Sequence, residues 1–182
     1  MNKIVLVTGG SRSGKSSYAE ELLKDMDEVL YIATAIIIDE EMQDRVNKHR
    51  ERRNSKWKTA EAFKSLDRIV SSTECKSIML DCVTIMVTNL MFEENIDFDN
   101  MSRGEINELQ SRIEKEFDKL ISEVRKENKS LIMVTNEVGS GLVPEYKLSR
   151  IFRDIAGSIN QYIAKLCDEV YLVSCGLPLR LK

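Results

Sequence analysis

Five stretches of this chain run apolar and β-branched over strand length, each bounded by polar or glycine-rich residues, and a weaker sixth closes it. Lys3-Ile4-Val5-Leu6-Val7-Thr8 is the clearest: short and almost wholly apolar, as a strand buried on both faces is. The pattern predicts strands at about residues 3–8, 28–33, 77–81, 130–135 and 169–174, with a short last one near 179–182. Between them the apolar period lengthens to that of a helix. Tyr18, Ala19, Leu22, Leu23 and Met26 mark one stripe over Ser16 to Met26. Ser102-Arg103-Gly104-Glu105 has the form of a capping box, and Ile106, Leu109, Ile113, Phe117, Leu120, Ile121 and Val124 follow it at helical spacing. Leu148, Ile151, Phe152, Ile155, Ile159, Ile163 and Leu166 repeat the pattern. Strands alternating with helices predict one α/β domain over residues 1–182, a mostly parallel sheet flanked by helices on both faces. Ligands of such sheets gather beyond the carboxyl ends of the strands.

The turn after the first strand reads Gly9-Gly10-Ser11-Arg12-Ser13-Gly14-Lys15-Ser16. Strand, glycine-rich turn and helix in that order aim backbone N–H groups and a helix N-terminus at one anion. Gly9 and Gly14 permit a tight turn, Lys15 can reach the outer phosphates, and the Ser16 hydroxyl can ligate Mg²⁺. The loop thus predicts a P-loop NTPase-like fold that binds a nucleoside triphosphate. Ser77-Ile78-Met79-Leu80-Asp81 is a strand ending in a carboxylate, where such enzymes carry the acid that supports Mg²⁺; the competing reading is an N-cap for the next helix. Thr84 and Thr88, just beyond, read as helix-surface or packing residues.

His49 is the chain's one histidine. It falls in Glu40 to Arg53, which reads as helical, and four-residue spacing sets Arg45, His49 and Arg53 on one face with Arg50 and Arg52 nearby. Such a face could hold a polyphosphate, and its positive charge favours the neutral, nucleophilic imidazole. On pattern alone, a histidine among charges is an ordinary solvated helix face.

Composition narrows the picture by exclusion. The net charge is −3 with both signs interleaved, which gives no nucleic-acid stripe, and no apolar run is long enough to cross a membrane. The first strand begins so near Met1 that the start reads as leaving no room for a cleaved leader. Cys75, Cys82, Cys167 and Cys175 have no metal-ligand spacing and lie in or beside apolar runs, which predicts buried reduced thiols and a cytoplasmic enzyme.

Several further stretches complete an ordered set. They are Tyr31-Ile32-Ala33-Thr34-Ala35, His49-Arg50-Glu51-Arg52-Arg53, Trp57-Lys58-Thr59-Ala60-Glu61 and Asp81-Cys82-Val83-Thr84. Val134-Thr135-Asn136-Glu137-Val138-Gly139, the run from Phe152 to Gln161, and the C-terminal Gly176 to Lys182 follow. With the phosphate loop they make the chain, from residue 3 to its end, closely similar to the bifunctional adenosylcobinamide kinase / adenosylcobinamide-phosphate guanylyltransferases of cobalamin biosynthesis. The resemblance implies that Gly9, Gly10, Ser11, Arg12, Ser13, Gly14, Lys15 and Ser16 cradle the triphosphate. It implies that His49 becomes covalently guanylylated, and that Ala33, Thr34, Ala35, Arg50, Glu51, Arg52, Arg53 and Glu61 contact GTP. With Asp81 at the metal, Mg²⁺ as cofactor and ATP and GTP as substrates, it implies a corrinoid acceptor and a homo-oligomer, a trimer. The segments around Asn136–Gly139 and Arg153–Asp154 then read as substrate or nucleotide contacts, with a bare strand-to-loop turn and a surface ion pair as the competing readings. Two rivals stay open at this point: a simple small-molecule kinase in which His49 only touches phosphate, and a regulatory nucleotide switch.

Overall fold

Alternation along the strands decides which way each side chain faces, and the two resulting apolar sets bury against different helices. A computed structural model describes residues 2–36 and 54–182. The expected helix over 40–53, with Arg45, His49, Arg50, Glu51, Arg52 and Arg53, lies outside the described residues. Among those described, strands β1 (Ile4–Gly9), β2 (Val29–Ala33), β3 (Lys58–Glu61), β4 (Ser77–Asp81), β5 (Ser130–Asn136), β6 (Glu169–Ser174) and β7 (Leu177–Arg180) form one sheet in the order β3-β2-β4-β5-β1-β6-β7. Every neighbouring pair is parallel except the β6–β7 hairpin.

One face of the sheet carries Ile4, Leu6, Leu30, Ile32, Ile78, Leu80, Leu131 and Met133. Against it pack α2 (Leu66–Ser72), α3 (Val83–Met91), α4 (Arg103–Lys126) and α5 (Lys147–Leu166). The opposite face, with Val5, Val7, Tyr31, Met79, Ile132 and Val134, is covered by Ala19 of α1 (Lys15–Glu21), by Leu23 just after it, and by Trp57. The expected two-sided α/β sheet is what forms.

The capping box is intact. The Ser102 hydroxyl accepts from the backbone N–H of Glu105, and the Glu105 carboxylate accepts from the backbone N–H of Ser102 at 2.8 Å. All of the predicted α4 stripe is buried except Ile106, which packs at its edge. The helix after the phosphate loop is shorter than its stripe implies. It ends at Glu21, and turns with i to i+3 hydrogen bonds carry the chain to Met26, leaving Leu22 and Met26 exposed.

Three further differences have physical reasons. β3 escapes the sequence pattern because it is four residues long, mostly exposed and at the sheet edge. The last strand lies at 177–180 rather than 179–182, because Cys175 (φ 53°) and Gly176 (φ 79°) supply a two-residue turn with both central φ angles positive, the form that closes a tight hairpin. That turn also overturns the expectation for one thiol: Cys75, Cys82 and Cys167 are buried, but Cys175 is exposed at the hairpin tip.

Candidate functional site

The phosphate loop folds as its sequence requires. A Cβ on Gly9 would stand 2.4 Å from the Val173 carbonyl oxygen and 2.5 Å from Ser13 Oγ, so no side chain fits there. Gly14, at φ 95°, caps the N-terminus of α1, and a Cβ on it would press Gly176 Cα at 3.0 Å. The β6–β7 turn closes on the loop from that side, with Gly176 N–H donating to the Ser13 carbonyl at 2.8 Å. Lys15 Nζ donates to the Gly10 carbonyl oxygen at 3.0 Å, and Ser16 lies in the first turn of α1. Gly10, Ser11 and Arg12 are exposed along the loop, open to a ligand.

Asp81 ends β4, one strand removed from β1 because β5 lies between them. It receives the Tyr31 hydroxyl at 2.9 Å. It does not cap α3, whose N-cap residue is Cys82 and has no side-chain cap bond; the capping alternative is therefore set aside. Burial holds the Lys15 ammonium below the ordinary lysine value, and Cys82 and Asp81 oppose that shift. Burial, reinforced by Asp81, also pushes the Cys82 thiol up to about 12. A neutral thiol carries no charge at pH 7, so Asp81 is the anion that acts on Lys15.

Thr34 braces the backbone at the end of β4. It is almost fully buried, its Oγ1 donates to the Cys82 carbonyl at 2.8 Å, and it accepts the Cys82 N–H at 2.8 Å. Its backbone N–H goes to the Asp81 carbonyl at 3.1 Å, and its own carbonyl takes the Asn89 amide at 2.7 Å. Its side chain thus ties the end of β2 to the turn after β4. Ala33 pairs with Glu61 on one side and Asp81 on the other, so these three lie abreast at the carboxyl edge. Thr34, Ala35 and Glu61 line a cleft of about 400 Å³, with Phe63 and Lys64 beyond them.

A network that spacing does not reveal fixes the end of β5. Asn136 is paired with Gly9, its N–H donates to Thr84 Oγ1 at 2.7 Å, and its carbonyl accepts the Asn160 amide at 3.1 Å. The Thr135 hydroxyl donates to Asn160 Oδ1 at 2.7 Å. Thr84 is thus a buried packing residue, as expected, and it also positions Asn136. The Glu137 carboxylate accepts the N–H groups of Gly139 at 2.7 Å and Ser140 at 3.2 Å. Burial would raise this carboxyl, but those bonds outweigh it and hold it below the ordinary glutamate value. Arg153 and Asp154 form an ion pair at 3.6 Å.

A larger cleft, about 870 Å³, lies along the N-terminal half of α4 and includes Glu94, Asp97 and Arg112. Of the residues singled out by sequence only the capping-box Glu105 lines it, and none of the candidate site residues does. The chemistry gathers at the carboxyl edge of the sheet instead.

A family model described as "Cobinamide kinase / cobinamide phosphate guanyltransferase" matches residues 5–181. The chain belongs to this family. Two relatives share 42% identity with it: the "Bifunctional adenosylcobalamin biosynthesis protein CobU" of Escherichia coli (strain K12), covering 98% of this chain and 99% of its own length, and the protein of the same name from Salmonella typhimurium, with the same coverage. The "Bifunctional adenosylcobalamin biosynthesis protein CobP" of Pseudomonas aeruginosa is 36% identical over 97% of this chain and 96% of its own length. Membership of the cobinamide kinase / cobinamide phosphate guanyltransferase family makes the chain a transferase. Among solved structures, a prototypical ATPase from the type III secretion system of pathogenic bacteria superposes with a TM-score of 0.60 at 12% identity, over 98% of this chain and 56% of that one. At that identity the likeness concerns the fold, and it is a P-loop ATPase fold. Among the described residues no helix is long and apolar enough to cross a membrane.

The donors available for a cation are a serine hydroxyl and a carboxylate. Among the described residues no group of three or more His, Cys, Asp or Glu side chains could enclose a metal by itself. Mg²⁺ is commonly held by one or two carboxylates together with substrate phosphates and water, so Ser16 and Asp81 fit it.

Proposed function

We propose that this chain carries out both reactions named by its family, with the phosphate loop serving the first and His49 the second. In the first, the aminopropanol hydroxyl of adenosylcobinamide attacks the γ-phosphorus of ATP or GTP. The bond to the β,γ-bridging oxygen breaks, the nucleoside diphosphate leaves, and the hydroxyl proton passes to solvent or a nearby base. A loose phosphoryl transition state asks mainly for positioning and charge stabilisation. Residues Gly9 to Ser16 provide backbone N–H groups, and Lys15 provides a point charge. Mg²⁺, held by Ser16 and Asp81, supplies neutralisation of phosphate charge when bound.

In the second reaction, neutral His49 attacks the α-phosphorus of GTP and pyrophosphate leaves, giving a histidine–GMP phosphoramidate. A phosphate oxygen of adenosylcobinamide phosphate then attacks the same phosphorus, the P–N bond breaks, and adenosylcobinamide-GDP forms. Splitting one displacement into two is the logic of covalent catalysis. Glu61, Ala33, Thr34 and Ala35, with Arg50, Glu51, Arg52 and Arg53, are assigned to GTP in this step. The reading includes cytoplasmic residence and assembly as a homotrimer.

What chiefly supports the reading is that the family match spans residues 5–181, so it takes in the phosphate loop, His49 and Asp81 together. Intact-mass measurement after incubation with Mg²⁺–GTP, followed by peptide mapping, tests it. One added GMP on the peptide containing His49 is expected. A chain that phosphorylates cobinamide but never gains GMP would be a kinase alone.

A further inference from the structure

The loop between β5 and α5 is fastened at both ends and bare in the middle. At its start, Glu137 N–H donates to the Gly9 carbonyl at 3.0 Å, and the Glu137 carboxylate curls the chain by accepting from Gly139 and Ser140. At its far end, the Arg150 guanidinium donates to the carbonyls of Pro144 (3.0 Å) and Glu145. Between these ties Leu142 is 95% exposed, Val143 70% and Tyr146 74%. Isolated surface leucines need no explanation, but three large apolar side chains within five residues of a fastened loop form a patch, and such patches mark binding surfaces.

Position selects the occupant. The loop leaves the sheet beside the phosphate loop, from the carboxyl edge where an in-line acceptor must approach a γ-phosphate. The triphosphate itself is a charged ligand and has its own cradle on backbone N–H groups. What remains to be held is the acceptor, a broad macrocycle with apolar faces and an amide fringe. We infer that Leu142, Val143 and Tyr146 form the platform on which the corrinoid ring docks, and that the Glu137 and Arg150 ties hold it ready at the mouth of the kinase site. The inference rests on the proposed function above, because it takes the corrinoid as substrate. A second copy of the chain is the competing occupant.

The test is the full chain carrying Leu142→Ser and Val143→Ser, with Leu142→Ile and Val143→Ile as the apolar-retaining control. Equilibrium dialysis against cobinamide, read by corrinoid absorbance, gives binding directly. Steady-state kinase assays give KM for cobinamide and nucleotide separately. The serine variant should bind cobinamide about tenfold or more weakly and raise its KM alike, with nucleotide KM unchanged. The isoleucine variant should stay near wild type. Thermal unfolding should not move, since both side chains are exposed. Unchanged cobinamide binding in the serine variant overturns the inference. So does a shift in sedimentation, to a smaller assembly, without a change in corrinoid KM, which makes the loop a subunit contact. A wild-type chain that binds cobinamide without phosphorylating it refutes the proposed kinase function and leaves the platform testable by dialysis; one that does not bind it refutes the platform.

Discussion

The Lys15 ammonium lies on the Gly10 carbonyl oxygen at 3.0 Å, inside the turn it is expected to serve, with the charge of Asp81 acting on it from the end of β4, across the intervening β5. Lysine, carbonyl and carboxylate make a local balance of charge that a triphosphate must enter. The strand order brings this about: β5 separates β1 from β4, so Asp81 is near enough to act on Lys15 while its Oδ2 accepts the hydroxyl of Tyr31.

Removing the ammonium should silence the kinase. Lys15→Ala is expected to lower the rate of cobinamide phosphorylation by about a hundredfold or more, the scale of losing one preorganised charge-stabilising group. The pH dependence carries the sign. Burial sets the Lys15 pKa below 10.5, so raising the pH removes its charge earlier than in an unshifted lysine. Triphosphate affinity should therefore fall on the alkaline side. Asp81→Asn deletes the anion that opposes the shift and should move that fall to lower pH. Titrating nucleotide affinity between pH 7 and 10 in both proteins checks it; an unmoved limb in Asp81→Asn removes Asp81 from the balance.

Asp81→Asn also isolates the metal assignment. The amide keeps the shape and can still accept from Tyr31, so the fold should survive. The Mg²⁺ concentration for half-maximal kinase rate should rise about tenfold or more, the loss expected when one carboxylate ligand becomes neutral. An Mg²⁺ titration that superposes on wild type would remove the metal role and leave the carboxylate its pairing with Tyr31 and its charge on Lys15.

Thr34 tests the backbone bridge beside Asp81. Valine fills the same volume but strands the buried Cys82 N–H, which should cost about 1–3 kcal/mol of stability. Serine restores the hydroxyl and should recover most of it. Denaturant unfolding of Thr34→Val and Thr34→Ser decides; equal stability would mean that the bridge to Cys82 contributes nothing.

The contrast between these residues shows what the sequence could carry. The loop from Gly9 to Ser16 was legible because its glycines, lysine and serine are adjacent in the chain, and the close contacts of Gly9 with Val173 and Gly14 with Gly176 explain why they are glycines. The buried strands and the stripes of α4 and α5 were legible because burial imposes periodicity. β3 was not, since an exposed edge strand of Lys58–Glu61 has no apolar face to announce it. Nor was the network of Thr84, Thr135, Asn136 and Asn160: its members come from three elements that only the folded sheet brings together. The bridge that Thr34 makes was hidden for the same reason. Its segment lies at the expected edge, but its hydroxyl points to Cys82, 48 residues away.

The two activities should come apart at His49. Phosphoryl transfer at the loop has no use for an imidazole nucleophile, whereas GMP transfer through a phosphoramidate cannot proceed without one. His49→Ala should still phosphorylate adenosylcobinamide, with a rate within about tenfold of wild type if the ring merely helps to hold a phosphate. It should form no covalent GMP adduct and no adenosylcobinamide-GDP. His49→Asn repeats the test with a polar side chain of similar reach, so that loss of transfer is not a consequence of an emptied surface. The adduct on the wild-type chain should be labile in acid and stable in alkali, as a phosphorus–nitrogen bond is. The chain has one histidine, so no second imidazole can substitute. A GMP adduct recovered from His49→Ala therefore sinks the assignment outright, while the kinase measured in the same preparation reports whether the protein was folded when it failed.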